Sequence, residues 1–158
     1  MTSVAIDLFF LPPVEWEGNT FDTLILCVDR HSGWIVAVPG LNKGLTGAKI
    51  AKAMLLNQWT IFGIPSVITS DQGSHFVSSW WQTLCAGLGV RHAQAQAYHH
   101  ASNVRAEVAG QQIIEVLRKL STQGHQNWVE VLPRVLYILH EVRGETGLSP
   151  YEIIFWAS

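Results

Sequence analysis

The run VAIDLFF (Val4–Phe10) decides how the chain is read. It is apolar on both sides of one aspartate, Asp7, as in a buried central strand. Such a strand rarely carries an ionisable group unless the charge is paired or bound to a metal. Asp7 therefore needs a partner, either an arginine or a cation shared with other carboxylates. Working outward, Leu11-Pro-Pro is expected to end this strand and Glu15–Asn19 to form a turn. Thr23–Val28 (TLILCV) is rich in β-formers and predicts a second strand. His31-Ser-Gly33 predicts a tight turn. Trp34–Val38 predicts a third strand, stopped by Pro39-Gly40. Three strands with short links predict an antiparallel meander.

The period then changes. Over Thr46–Phe62, Ile50, Ala53, Met54 and Ile61 fall on one helical face, and Lys49 and Lys52 lie off it. Gly63 and Pro65 are placed to close that helix. Val67–Thr69 predicts a short buried strand. Asp71 follows at its carboxyl end, a usual place for sites in α/β sheets. Ser78–Leu88 predicts a second helix and Val90–Gln94 a fifth strand. In YHHASNVRAEVAGQQIIEVLRK (Tyr98–Lys119), Ser102 or Asn103 can cap a long helix. Its core face is Ala106, Gly110, Ile113, Leu117 and Leu120, and it carries Glu107 about one turn in. Asn127–Val142 predicts a further helix that Pro133 kinks or splits. Ser149-Pro150 starts a short last one, with proline at its first position. The order βββαβαβα plus terminal helices predicts an α/β fold: a mixed sheet with helices on its faces, in one domain spanning 1–158.

Composition narrows the function classes. The 158 residues are 48% hydrophobic and only 14% charged, with seven tryptophans. A core-rich domain with an apolar surface for a partner fits that balance. The net charge of −2 and a pI near 6.4 exclude a strongly basic nucleic-acid binder, so any such surface is a local patch. No apolar run approaches the roughly 20 residues that span a bilayer, and the start lacks a signal-peptide pattern. No membrane partner is expected. Cys27 and Cys85 lie in apolar contexts and are expected as free thiols in a reducing compartment, nucleus or cytoplasm rather than secreted. No Cys/His spacing suggests zinc.

Taken singly, each carboxylate has a plain reading. Asp71 before Gln-Gly can be a turn aspartate, and Glu107 a favourable acid near a helix start. Taken together they differ. Three carboxylates brought close repel one another unless cations sit between them. Magnesium and manganese prefer such oxygen ligands. Two such ions, about 4 Å apart, activate an attacking oxygen and stabilise a leaving one in phosphodiester chemistry.

The flanking residues then carry a resemblance. VDRHSGWIVAVP (Val28–Pro39), FGIPSVITSDQGSHF (Phe62–Phe76), AYHHASNVRAE (Ala97–Glu107), NWVEVLP (Asn127–Pro133) and GLSPYEIIF (Gly147–Phe155) appear in order. With 35 residues between Asp71 and Glu107, the chain resembles the catalytic core of retroviral and LTR-retrotransposon integrases, whose signature is D, D-35-E. The SGW turn and GLSPYEIIF look like the gammaretroviral and Gypsy-type branches. The resemblance implies an RNase H-like, five-stranded mixed sheet, with the first three strands antiparallel and the fourth and fifth parallel to the first. It implies a Mg²⁺ or Mn²⁺ site made by Asp7, Asp71 and Glu107 as both ligands and catalytic residues. It implies attack of water, then of a DNA 3′-hydroxyl, on a phosphodiester. It also implies DNA as partner, a homodimer, and further domains of a longer polypeptide, since the zinc-binding and basic modules of full integrases have no counterpart in these residues. Asn103, Arg105 and Gln111 are the expected nucleic-acid contacts.

The sequence also departs from the family. Gly110 stands where an asparagine is expected. Gln111 and Ile114 stand where some relatives place DNA-contacting lysines, and neutral groups there forfeit phosphate attraction. The loop that often reads YHPQSNGQAE has His100 for proline and Val104 for glycine, and valine is stiff. His99 and His100 read as exposed loop residues. Three functions follow as expectations. The first is an integrase-type polynucleotidyl transferase with attenuated activity. The second is a domesticated core, absorbed into a host protein as in one vertebrate protein with a NYN ribonuclease domain, that dimerises or binds nucleic acid without catalysis. The third is an RNase H-type nuclease.

Overall fold

The structure is a computed structural model describing residues 1–94, 104–121 and 127–156. A five-stranded sheet runs in the order β3-β2-β1-β4-β5. Its strands are β1 (Ser3–Trp16), β2 (Asn19–Asp29), β3 (Ile35–Gly40), β4 (Val67–Ser70) and β5 (Arg91–Gln94). The first three are antiparallel neighbours, and β4 and β5 run parallel to β1. This is the expected RNase H-like sheet, with the strand bearing Asp7 at its centre.

Alternation along β1 divides the core in two. Val4 and Ile6 join Ile25, Cys27 and Ile68 on one face, covered by Ile50, Met54, Phe76 and Trp81. Ala5 joins Leu24, Leu26 and Val28 on the other, covered by Ala106, Ile113, Leu117, Trp128 and Val135. The first cover is α1 (Gly47–Met54), a π-helical stretch (Leu55–Trp59), α2 (Thr60–Phe62), α3 (Ser74–Val77) and α4 (Ser79–Gly87). The second is α5 (Val104–Ser121) and α6 (Trp128–Glu141). A last helix, α7 (Pro150–Phe155), opens on a capping box between Ser149 and Glu152, with Pro150 in its first turn.

Several boundaries differ from expectation for identifiable reasons. Pro12 and Pro13 do not end β1. The β1–β2 register shifts between Phe10 and Val14, and the prolines fall within that irregularity. Beyond Ala5 strand β1 pairs only with β2 among the described residues, so the prolines forfeit no ladder bond on the β4 side. The turn tightens to Glu17 and Gly18, both at positive φ (48° and 78°). Ile61 is exposed, not on the core face. The π-helical stretch inserts an extra residue into the helical period just before it, and half-buried Phe62 meets the Trp34 ring, with centroids 5.9 Å apart. Pro133 does not split α6. It lies on the exposed side of the helix, where water can reach the carbonyl it leaves unpaired. The short helix α3 was not anticipated. Cys27 and Cys85 are free and buried, and among the described residues no helix is long and apolar enough to cross a membrane.

Gly110 has a packing reason. A Cβ there would overlap the Phe9 ring, which lies directly against the α5 backbone. The departure from asparagine thus belongs to a close helix–strand contact one turn from Glu107. Gly110→Ala gains helix propensity worth about 1 kcal/mol. The overlap should outweigh it, for a net loss of about 1–2 kcal/mol in chemical denaturation. Adding Phe9→Ala to Gly110→Ala should cost less than Phe9→Ala alone, a non-additivity that a double-mutant cycle measures.

Candidate metal centre

Strand register brings the first two carboxylates together. The parallel pairing sets Ser3 against Val67, Val4 against Ile68 and Ala5 against Thr69. The same register carried two residues on puts Asp71, just past the end of β4, level with Asp7. Alternation sends Asp7 to the face of Ala5, which α5 covers. Glu107 lies in the first turn of α5, exposed, beside the buried Ala106, Ala109 and Gly110 that seat the helix on the sheet.

The electrostatics register this convergence. Asp7 is half-buried, and its carboxyl is pushed up to about 6. Burial is the largest cause. A hydrogen bond from the Leu8 backbone N–H to Oδ1 (2.8 Å) opposes it, and the nearby charges of Asp71 and Glu107 add to it. The carboxylate of Asp71 is exposed, and its Oδ1 accepts from Gly73 N–H at 2.9 Å. Asp71 is therefore a turn aspartate as well as a neighbour of Asp7. A Cβ on Gly73 would sit 2.9 Å from that same Oδ1, so the turn needs glycine to leave the carboxylate in place. Among the described residues, no three His, Cys, Asp or Glu side chains are gathered closely enough to hold an ion as they stand. Asp71 and Glu107 sit within electrostatic reach of Asp7. Their all-oxygen donor set suits a hard divalent cation.

Arg105 and Gln111 are both exposed on α5, as a surface contact requires, and Val104 starts that helix, also exposed. Ile114 is half-buried, so it is only partly available where a lysine was expected. Asn103, His99 and His100 lie outside the described residues.

The sequence reading missed the groups behind Asp71. Ser70, fully buried, lies 2.8 Å from His92 Nε2, and its hydroxyl donates to the Asp71 carbonyl at 2.9 Å. Only the pairing of β4 with β5 brings His92 there, so no spacing signals it. Asp29 was also passed over. It is buried, and its Oδ2 accepts from Ser32 N (2.8 Å) and Oγ (2.7 Å), closing the turn into β3. A separate cavity of about 550 Å³ between α6 and α7 is lined by Glu141, Leu148, Tyr151, Glu152 and Trp156. Glu152 there is already bound by Arg143 at 2.7 Å and by Ser149 N at 2.8 Å.

Comparison with known proteins agrees with this geometry. The family described as integrase core domain matches residues 3–100. The Gag-Pol polyprotein of feline leukemia virus is 35% identical over 156 residues, covering 92% of this chain. The Pol polyprotein of radiation murine leukemia virus is 36% identical over 135 residues, covering 85%. The chain spans only 9% and 23% of those two polyproteins. Among solved structures, the HTLV-2 integrase catalytic core domain in complex with magnesium, in a dimeric form, superposes with a TM-score of 0.72 at 18% identity, covering 96% of this chain and 94% of that one. The simian T-cell lymphotropic virus intasome in complex with PP2A regulatory subunit B56 gamma gives 0.79 at 19%, covering 98% and 54%. At such identities the structural likeness speaks to the fold. With the family match over residues 3–100, the viral relatives along nearly the whole chain, and a sheet that sets Asp71 level with Asp7, this chain belongs to the integrase core domain family.

Proposed function

We propose that the chain is an integrase-type polynucleotidyl transferase core, a metal-dependent centre for 3′-processing and strand transfer of DNA, with attenuated activity. The observation that carries this reading is the strand register that sets Asp71 level with Asp7, on the face covered by the helix that bears Glu107. A site that concentrates negative charge in this way suits Mg²⁺ or Mn²⁺, and Asp7, Asp71 and Glu107 would hold it. The chemistry such ions supply when bound is activation of an attacking oxygen and stabilisation of the leaving one. The chain's own residues do the positioning. Strand β1 and the Leu8 N–H orient Asp7, the Gly73 N–H orients Asp71, and the contact of Gly110 with Phe9 sets how closely α5 brings Glu107. Asp7 must lose its proton to act as a ligand.

DNA would lie along the exposed side of α5, across Arg105 and Gln111, and Asn103 would join them. One arginine beside a neutral glutamine gives little phosphate attraction, hence the attenuation. A second copy of the chain is the other proposed partner. Leu56 (61% exposed), Ile61 (66%) and Tyr137 (68%) offer apolar surface for it. The second reading, a domesticated module that dimerises or binds nucleic acid without catalysis, is favoured by the neutral, exposed Gln111.

Three outcomes test the first reading. Purified, folded protein with Mn²⁺ should join or disintegrate branched DNA substrates, and Glu107→Gln should lower that activity by at least about 100-fold. A folded wild type inert with every divalent ion leaves the non-catalytic module. Mg²⁺ should raise the melting temperature of wild type by roughly 2–4 °C per kcal/mol of binding, and should not do so for Asp7→Asn.

The pH dependence has a definite sign. Asp7 binds its proton more tightly folded than unfolded, so the metal-free fold loses stability as pH rises from 3.8 to about 6 and does not regain that part above. Denaturation of Asp7→Asn across that window should lack this component.

A further inference from the structure

We propose that Gln82, His92 and Ser70 form a one-way hydrogen-bond relay that fixes the backbone of Asp71, which makes His92 a positioning residue for the centre. The inference rests on the reading of Asp71 as a metal ligand, and its geometry is independent of that reading.

The direction of every hydrogen follows from what each group can do. The Asp71 carbonyl only accepts, so the Ser70 hydroxyl, 2.9 Å away, spends its one hydrogen there. The Ser70 oxygen must then accept from His92 Nε2 at 2.8 Å, so Nε2 carries the ring hydrogen. At the other end of the ring, Gln82 Nε2 lies 3.2 Å from Nδ1 and 3.1 Å from the Phe76 carbonyl. That carbonyl also only accepts, so it holds the Gln82 amide nitrogen in place, and the second amide hydrogen points at Nδ1. Gln94 Nε2 donates to the same carbonyl at 3.4 Å. Nδ1 is therefore an acceptor. One pattern satisfies all four bonds: Gln82 to His92, His92 to Ser70, Ser70 to Asp71, with Phe76 as the anchor.

The surroundings keep the ring in that state. His92 is half-buried in a T-shaped contact with Trp81, with ring centroids 6.0 Å apart and 73° between planes. Burial pushes its pKa below the usual histidine range, which favours the neutral ring the relay requires. Ser70 is fully buried, so no solvent competes for its hydroxyl. Asp71 is thus held twice, through its carbonyl by the relay and through Oδ1 by Gly73 N–H. Two fixed points on one residue constrain where the remaining carboxylate oxygen can aim.

Nitrogen–proton correlation spectra of the whole chain read the His92 tautomer directly, and the neutral Nε2–H form is expected. The Gly73 amide proton reports the Asp71 carboxylate without any metal. His92→Phe and Ser70→Ala should each shift that resonance and weaken Mn²⁺ binding by about tenfold in calorimetry, the size of one lost hydrogen bond. Ser70→Thr, which keeps the hydroxyl, should return both readouts to wild-type values. An Nδ1–H tautomer overturns the relay. So does a Gly73 amide that stays unmoved in both His92→Phe and Ser70→Ala. If wild type binds no Mn²⁺ at all, the metal-centre reading falls instead, and the tautomer with the Gly73 amide still decides the relay.

Discussion

The constraint on which this structure depends is the placement of a carboxylate on its central strand with two others near it. Asp7 sits half-buried at the edge of the two cores, between the apolar Ile6 and Leu8. Burial, Asp71 and Glu107 all oppose its ionisation, and one backbone N–H favours it. A fold selected for stability alone has no reason to keep such a group. The local cost is tolerable because two well-packed cores surround it, and because Asp71 and Glu107 remain in contact with solvent.

Those cores also explain why the site is open where it is. Strand β4 pairs with β1 over only three residues. Past Ala5 the edge of β1 has no strand on that side among the described residues, and Asp7 and Asp71 sit at the gap. On the face above, α5 lies close to β1 because Gly110 admits the Phe9 ring. That contact reinterprets a departure from the family pattern. What reads in sequence as a lost polar residue is, in three dimensions, a fitted surface that seats the helix carrying Glu107. The neutral Gln111 has no such account, since it is exposed and free of packing demands. Of these two departures, Gly110 thus belongs to architecture, and nothing in the packing accounts for Gln111.

Much of this was legible in the sequence. The apolar run around Asp7 marked the central strand, the Asp71–Glu107 spacing and its flanks marked the family, and the period change at Thr46 marked the first helix. Boundaries were misread where long-range pairing overrode local signals. Pro12 and Pro13 look like a strand end, yet they occupy a bulge at an unpaired side of β1. Ile61 fits a helical face, yet it follows a π-helical stretch that shifts the period, and it is exposed.

Most of the elements, the family and the candidacy of Asp7, Asp71 and Glu107 are legible in the sequence, because periodicity, turn chemistry and motif spacing are local properties of the chain. The tertiary structure alone decided how those carboxylates feel one another. Their interaction depends on distance and burial, which arise only when β4 docks beside β1 and α5 covers the sheet. It alone showed His92 and Ser70 behind Asp71, since residues 22 positions apart meet only through parallel strand pairing. It also turned Gly110 from a missing side chain into a required space, because the ring that fills that space comes from the other end of the chain.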